Sequence, residues 1–424
     1  MSKKFGTRKG TRFGYSLEIT AFTVDDASNW VADAKKLVKW PTSGDERENG
    51  NANRGEAPKR VSTVYACQTA RTKVMGFCDG SKSFVERASD LLQRLSTKEK
   101  LSLMGAHGPD ICAFEDGGVP RLDIPSYTWC TETNTGVSSV CLQEGRCATT
   151  FPSPAALASS FNRSLWRRKG ETQSTEQRAL FNLGAVRGSR THPLIGLNGW
   201  GPNINIVRGE QSCACSRSLL CVLHILSLLL LLVDPRYGRN SELPSEDTYL
   251  NGAYAIEVVR GMQEGDDPRW PLKIHTTLKH YTAYSVEANR FGFIGNASTY
   301  DVYDSFLPQY AAAFQLGHSA GVMCSYMSLR IADADAPTTQ PPPPAHPSCA
   351  SDFLLNQLVR KEWGQEDALI VTDCEATSSM YQHNHLAADC SDAAVSGSNE
   401  PSRTSSSCIL LCIYLQLLLA HGLP

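Results

Sequence analysis

Several short apolar runs in this chain lead into residues able to do chemistry. "LKIHTTL", residues 272–278, runs into Lys279 and His280. "AGVMCSY" ends at Tyr326, "DALIVTD" ends at Asp373, and "NINIV" approaches Arg208. A lone carboxylate after a buried strand, held among cations, is kept ionised by them. That suits a nucleophile or an electrostatic stabiliser. Lys279, His280 and an arginine would supply hydrogen-bond donors to a ligand rich in hydroxyls. The alternative for Asp373 is an ordinary helix N-cap, given the "CEATSSMY" that follows.

Such endings need elements to position them. Between the apolar runs lie "TYLNGAYAIEVVRGMQ", "VYDSFLPQYAAAFQLG" and "SDFLLNQLVRKEWG", which have helical spacing. Upstream, "FVERASDLLQRLSTKEKLSLM" reads as two short amphipathic helices, with Thr97 as the N-cap of the second. Strand–helix alternation predicts a parallel α/β architecture. The mostly apolar third and fourth runs fit strands covered on both faces. The number of units favours a (β/α)8 TIM-like barrel over a small doubly wound sheet. In such a barrel the functional groups sit where the strands end.

The 424 residues are enough for such a barrel with additions. A net charge of −2 provides no global basic field for nucleic acid, so none is expected as a partner. The 15 cysteines are sparse for a disulfide scaffold of this length, and no CxxC pair or spaced Cys/His set predicts a metal. Lys3, Lys4, Arg8, Lys9 and Arg12 make the N-terminus basic, but no apolar stretch follows that reads as a secretory signal.

The same motifs resemble glycoside hydrolase family 3. "DPRYGRNSELPSED", "LKHYTAY", "VMCSY" and "LIVTDCEA" are similar to that family's DPRWGRxxExxGEDP, KHFxAY, MCSYN and IVSDCDA runs. "GVPRLDIPSYTWCTE", "FPSPAALASSFN" and "EQRALFN" resemble its earlier motifs in the same order. The cysteine after the aspartate and the glutamate at position 132 look like the plant-type β-xylosidase/α-arabinofuranosidase branch, with β-glucosidases next.

The resemblance implies a retaining exo-glycosidase whose N-terminal barrel is followed by an α/β sandwich. Such chemistry uses two carboxyl groups and needs no metal or organic cofactor. Asp373 matches the nucleophile. Lys279 and His280 match a pair that binds glycone hydroxyls, Arg239 matches a glycone-binding arginine with Arg236 as runner-up, Glu132 stands where the family has an acidic glycone ligand, and Tyr326 matches a tyrosine lining the pocket. The partner would be an oligosaccharide with a terminal β-linked xylosyl or glucosyl residue. Secretion is common in the family.

There are departures. "TETNTG" stands where SEALHG is usual, Met327 replaces an asparagine, and Ser285 stands where an aspartate is usual. The family's acid/base lies in the second domain, which this chain is expected not to reach. The expected layout is therefore an N-terminal extension over 1–75, a barrel domain over 76–397 and a Ser/Leu-rich tail over 398–424.

Two insertions interrupt that domain, a Pro-rich one at about 330–346 and a Leu-rich one at 209–233. The leucine run from Leu219 to Val233 is shorter than the roughly 20 residues needed to span a bilayer, so a membrane span is not expected. Removing 209–233 joins "NINIVR" to "DPRYGRN" and restores the family motif. The insertion and the tail share a composition expected of retained introns. The competing expectation is a truncated, inert fragment that binds sugar weakly or does not fold.

Overall fold

The computed structural model describes residues 66–104, 118–124, 131–138, 141–143, 146–182, 195–206, 237–265, 272–332 and 343–388. Arg208, Arg236, the 209–233 insertion, residues 333–342 and the 398–424 tail lie outside the described residues.

The framework is a parallel sheet of β1 (Asn198–Asn203), β2 (His275–Tyr281), β3 (Gly321–Cys324) and β4 (Leu369–Thr372). The strands lie in chain order, and each neighbouring pair is parallel. Two helices, α1 (Phe84–Arg94) and α2 (Thr97–Met104), precede the sheet, followed by the long α3 (Arg163–Asn182). The crossovers carry α4 (Thr248–Gln263) between β1 and β2, α5 (Pro308–Gln315) between β2 and β3, and α6 (Phe353–Glu362), wound with π-type hydrogen bonds, between β3 and β4. α7 (Ala376–Gln382) follows β4. Among the described strands the order does not reverse, so no switch point of the doubly wound kind lies between them. A smaller sheet pairs Ile294–Ala297 with Ser328–Ile331 in parallel, and Ser328–Ile331 with His346–Pro347 antiparallel.

Apolar side chains from both layers join the sheet to its helices. Leu278, Val322 and Ile370 from the strands pack with Ala255 and Val259 of α4, Tyr310 and Phe314 of α5 and Leu358 of α6. Burying each large side chain of this kind contributes about 1.5–3 kcal/mol. α3 and α4 meet backbone to backbone. A Cβ on Gly170 would collide with the Val258 carbonyl, and one on Gly261 with the Arg167 carbonyl.

Two local expectations change. Ser96, not Thr97, caps α2: its hydroxyl accepts the Glu99 N–H at 3.3 Å, and the Glu99 carboxylate accepts the Ser96 N–H at 2.8 Å. This reciprocal pair is a capping box one residue earlier than expected. The first strand also lies earlier than "NINIV". Ile204 and Ile206 are buried beyond the ladder, which extends over the Gly- and Asn-rich 198–203. The alternation of Asn with Ile in the sequence imitated a strand, although 203–206 is buried throughout, and β propensity gave no warning, because Gly and Asn are poor strand formers.

Candidate active site

The C-terminal ends of β2, β3 and β4 bring the sequence-predicted residues together. Lys279 and His280 are the fifth and sixth residues of β2 and are almost completely buried. Tyr326 lies two residues past β3, and Asp373 directly follows β4. The Asp373 N–H donates to the Cys324 carbonyl at 3.1 Å, which continues the ladder and ties the aspartate to β3.

Lys279 donates to both carboxylate oxygens of Glu132, at 2.6 and 2.5 Å. The lysine is 1% exposed and the glutamate 52%, so a buried cation meets an acid that faces outward. Glu132 sits on a turn tied to β1: the Trp200 N–H donates to the Thr131 carbonyl at 2.7 Å, and the Thr133 N–H to the Trp200 carbonyl at 3.4 Å.

His280 Nε2 lies 3.6 Å from Asp373 Oδ2. Burial, reinforced by Lys279, Arg239 and Arg290, holds the imidazole pKa well below its ordinary value. The ring is therefore neutral, and its contact with Asp373 is not an ion pair. Burial also decides Asp373. It raises the acid's pKa more than Lys279, the Cys374 N–H, Tyr326 and Arg239 together lower it. The expectation that surrounding cations would dominate this carboxyl is thus corrected: desolvation is the larger effect.

The N-cap alternative for Asp373 does not hold either. Its Oδ1 accepts the N–H of the adjacent Cys374 at 2.8 Å, whereas a cap accepts from N2 or N3. Oδ2 accepts no hydrogen bond of ordinary geometry from the described residues.

Arg239 forms a two-pronged pair with Glu242, Nε to Oε1 and Nη2 to Oε2, both at 2.9 Å. Its guanidinium also lies over the Tyr284 ring, at 5.5 Å. Glu242 Oε2 further accepts from Asn134 Nδ2 at 3.1 Å and Asn203 Nδ2 at 3.0 Å. Burial pushes the Glu242 carboxyl up, but Arg239, Lys279 and Asn203 together outweigh it, and the group ends below its ordinary value. Asn134 Nδ2 also reaches Glu132 Oε2, at 3.4 Å. A continuous polar chain therefore runs from Lys279 through Glu132, Asn134 and Glu242 to Arg239.

Tyr326 closes another side. Its ring meets Phe291 at 4.7 Å and carries the Arg290 guanidinium at 4.8 Å. Burial and the neighbouring Asp373 charge raise the phenol's pKa. Arg290 is itself held by Glu287, at 2.9 Å.

The sequence reading assigned no role to Glu242, Asn134 or Asn203. Glu242 had a signal, since it stands three residues after Arg239, within reach on one helical turn. Asn134 had only the departure from SEALHG. Among the described residues no cluster of His, Cys, Asp and Glu could hold a metal ion. No described helix is long and apolar enough to cross a membrane.

Residues 231–399 match the profile described as "Glycosyl hydrolase family 3 N terminal domain". The chain belongs to glycoside hydrolase family 3. It is 34% identical over 350 residues to "Beta-xylosidase/alpha-L-arabinofuranosidase 1" of Medicago sativa subsp. varia, covering 79% of this chain and 38% of that protein. It is 33% identical over 346 residues to "Beta-D-xylosidase 3" of Arabidopsis thaliana, covering 78% of this chain and 37% of the relative. The chain thus spans well under half the length of these family 3 relatives.

Among solved structures, the family 3 exo-β-xylosidase XlnD, in complex with a xylobiose aziridine activity-based probe, superposes with a TM-score of 0.64 at 25% identity. The match covers 83% of this chain and 42% of XlnD. A β-glucosidase 3B from Thermotoga neapolitana shares the fold, with a TM-score of 0.52 at 19% identity.

Proposed function

We propose that this family 3 chain forms the glycone-binding, nucleophile-bearing part of a retaining exo-glycosidase acting on terminal β-linked xylosyl residues, with β-glucosyl as the second choice. The observation that carries this is Asp373: a buried carboxylate whose Oδ2 lies 3.6 Å from a neutral His280, against Tyr326 and near Lys279 and Arg239. Xylose is preferred because the curated relatives named above are β-xylosidases.

In this reading Asp373 Oδ2 attacks the anomeric carbon. The bond to the leaving oxygen breaks, and a glycosyl ester forms on the enzyme. Water then attacks the ester and releases the sugar. Lys279, His280, Arg239 and Glu132 hold the glycone hydroxyls, and Tyr326 lines the pocket. Burial strips water from the carboxylate, which raises its pKa and also bares the oxygen that must attack.

Protonating the leaving group requires a second carboxyl. Glu132, Glu242 and Glu287 each have a cation in hydrogen-bonding contact. None of them is assigned this role; the acid/base comes from outside the described residues. The sheet is proposed to be one arc of a (β/α)8 barrel over 76–397, with 209–233 and about 330–346 as insertions, and 1–75 and 398–424 outside it.

The test is labelling of the full chain with a 2-fluoro-xylosyl donor that has a good leaving group, followed by peptide mass spectrometry. The expected adduct is on Asp373, with slow turnover of activated aryl xylosides that disappears in Asp373→Ala. No adduct on Asp373, with the folded chain and an excess of reagent, would favour the inert fragment instead.

A further inference from the structure

The inner face of α3 is polar where a core helix would normally be apolar. Lys169, Gln173, Glu176 and Gln177 are all buried there. Lys169 Nζ donates to the Asn134 carbonyl at 2.5 Å and to the Tyr254 hydroxyl at 2.7 Å. One turn on, Gln173 Nε2 donates to the Thr133 carbonyl at 2.8 Å. Residues at i and i+4 on one helix face thus hold two consecutive carbonyls of the turn that carries Glu132. From the opposite side, the Asn203 N–H donates to Asn134 Oδ1 at 3.1 Å.

Among the described residues no carboxylate forms an ion pair with Lys169. Burial alone pulls its ammonium down to about 7. A buried cation without a counter-ion is costly, and a core that needed only packing would be served by an apolar residue. The oxygens it does meet belong to the glycone-site turn and to α4.

We propose that Lys169 is a positioning residue. From α3 it clamps the Asn134 carbonyl, so that Asn134 and Glu132 are presented to Glu242 and Lys279 in a fixed geometry for the sugar. The assignment of Glu132 to glycone binding rests on the function proposed above; the clamp itself does not.

Two measurements on the full chain separate these. The first is amide hydrogen exchange in wild type and Lys169→Met. Peptides covering 131–138 should exchange about tenfold faster in the variant, while α3 and α4 keep their protection. Unchanged exchange in 131–138, or an equal rise throughout α3 and α4, would overturn the clamp. Lys169→Gln keeps a donor and should recover part of the protection; it also serves if the methionine variant does not fold.

The second is the concentration dependence of Asp373 labelling. Lys169→Met should raise the half-saturating concentration about tenfold with little change in the maximal rate, as expected when uniform binding is lost. That increase should vanish in a Glu132→Gln background, and an additive increase there would refute action through Glu132. If wild type is not labelled at all, the glycosidase reading fails, and the exchange measurement still decides the clamp.

Discussion

Glu242 is where the structure makes its most exposed quantitative claim. Its carboxylate accepts two bonds from Arg239 at 2.9 Å, one from Asn134 at 3.1 Å and one from Asn203 at 3.0 Å. The side chains of Arg239 and Glu242 are 18% and 26% exposed. An exposed pair of this type contributes about 0–1 kcal/mol, and breaking a fully buried one costs about 3–5 kcal/mol. Partial burial and two extra donors place Glu242→Leu between these, at about 2–3 kcal/mol.

For a domain of this size the loss corresponds to a fall of roughly 3–5 °C in Tm. The decisive assay is a double-mutant cycle in urea with Arg239→Met and Glu242→Leu. The expected coupling is about 1.5–2 kcal/mol. Glu242→Gln keeps the shape but turns an amide NH2 toward one donor, so it should lose stability as well. The pKa direction adds a sign. Because the folded Glu242 pKa is depressed, its stabilisation is present above the unfolded pKa and is lost as pH falls through the folded value. The gap between wild type and Glu242→Gln should therefore narrow in acid. A coupling below about 0.5 kcal/mol, the value of a solvated surface pair, would refute the view of Glu242 as the partly buried hub of the site.

Other expectations follow from the same geometry. Asp373→Asn should abolish labelling yet raise stability at neutral pH, by about 0.5–2 kcal/mol, because burial already disfavours the ionised acid. A raised carboxyl pKa means stability is lost as pH rises through the folded value, so this gain should shrink in acid; calorimetry across pH would show it. His275 is lowered to about 4 by burial and by Arg178. Its contribution is present above the unfolded histidine pKa and is lost as pH falls from about 6.5 toward 4, by about 3 kcal/mol in all. His275→Phe should flatten that part of the stability profile in urea titrations. Gly261→Ala should cost about 1–3 kcal/mol or more, since its methyl would meet the Arg167 carbonyl of α3; an unchanged unfolding midpoint would contradict the backbone contact.

Much of the framework was legible because it depends on local pattern. The expected helix "TYLNGAYAIEVVRGMQ" is α4, Thr248–Gln263. The apolar runs ending in Lys279-His280, Tyr326 and Asp373 are strands, or lead directly from strands, of one parallel sheet. Where pattern and ladder part company, as at "NINIV", the alternation of Asn with Ile runs past the strand end at Asn203 into residues that are all buried. The tertiary contacts of Asn134 and Lys169 had no local signature. A polar helix face normally reads as solvated, and α3 buries one.

The amino-acid sequence by itself determined the family, the parallel α/β order and the residue types at the strand ends, because motifs and periodicity are written within a few tens of residues. Only the tertiary structure decided how those residues act on one another. Glu132 meets Lys279 across 147 positions, and Asn134 meets Glu242 across 108. Such distances in sequence carry no period to read. The direction of the Asp373 pKa shift was likewise undecidable from charges alone. It depends on how completely water is excluded, and that is a property of the packed molecule.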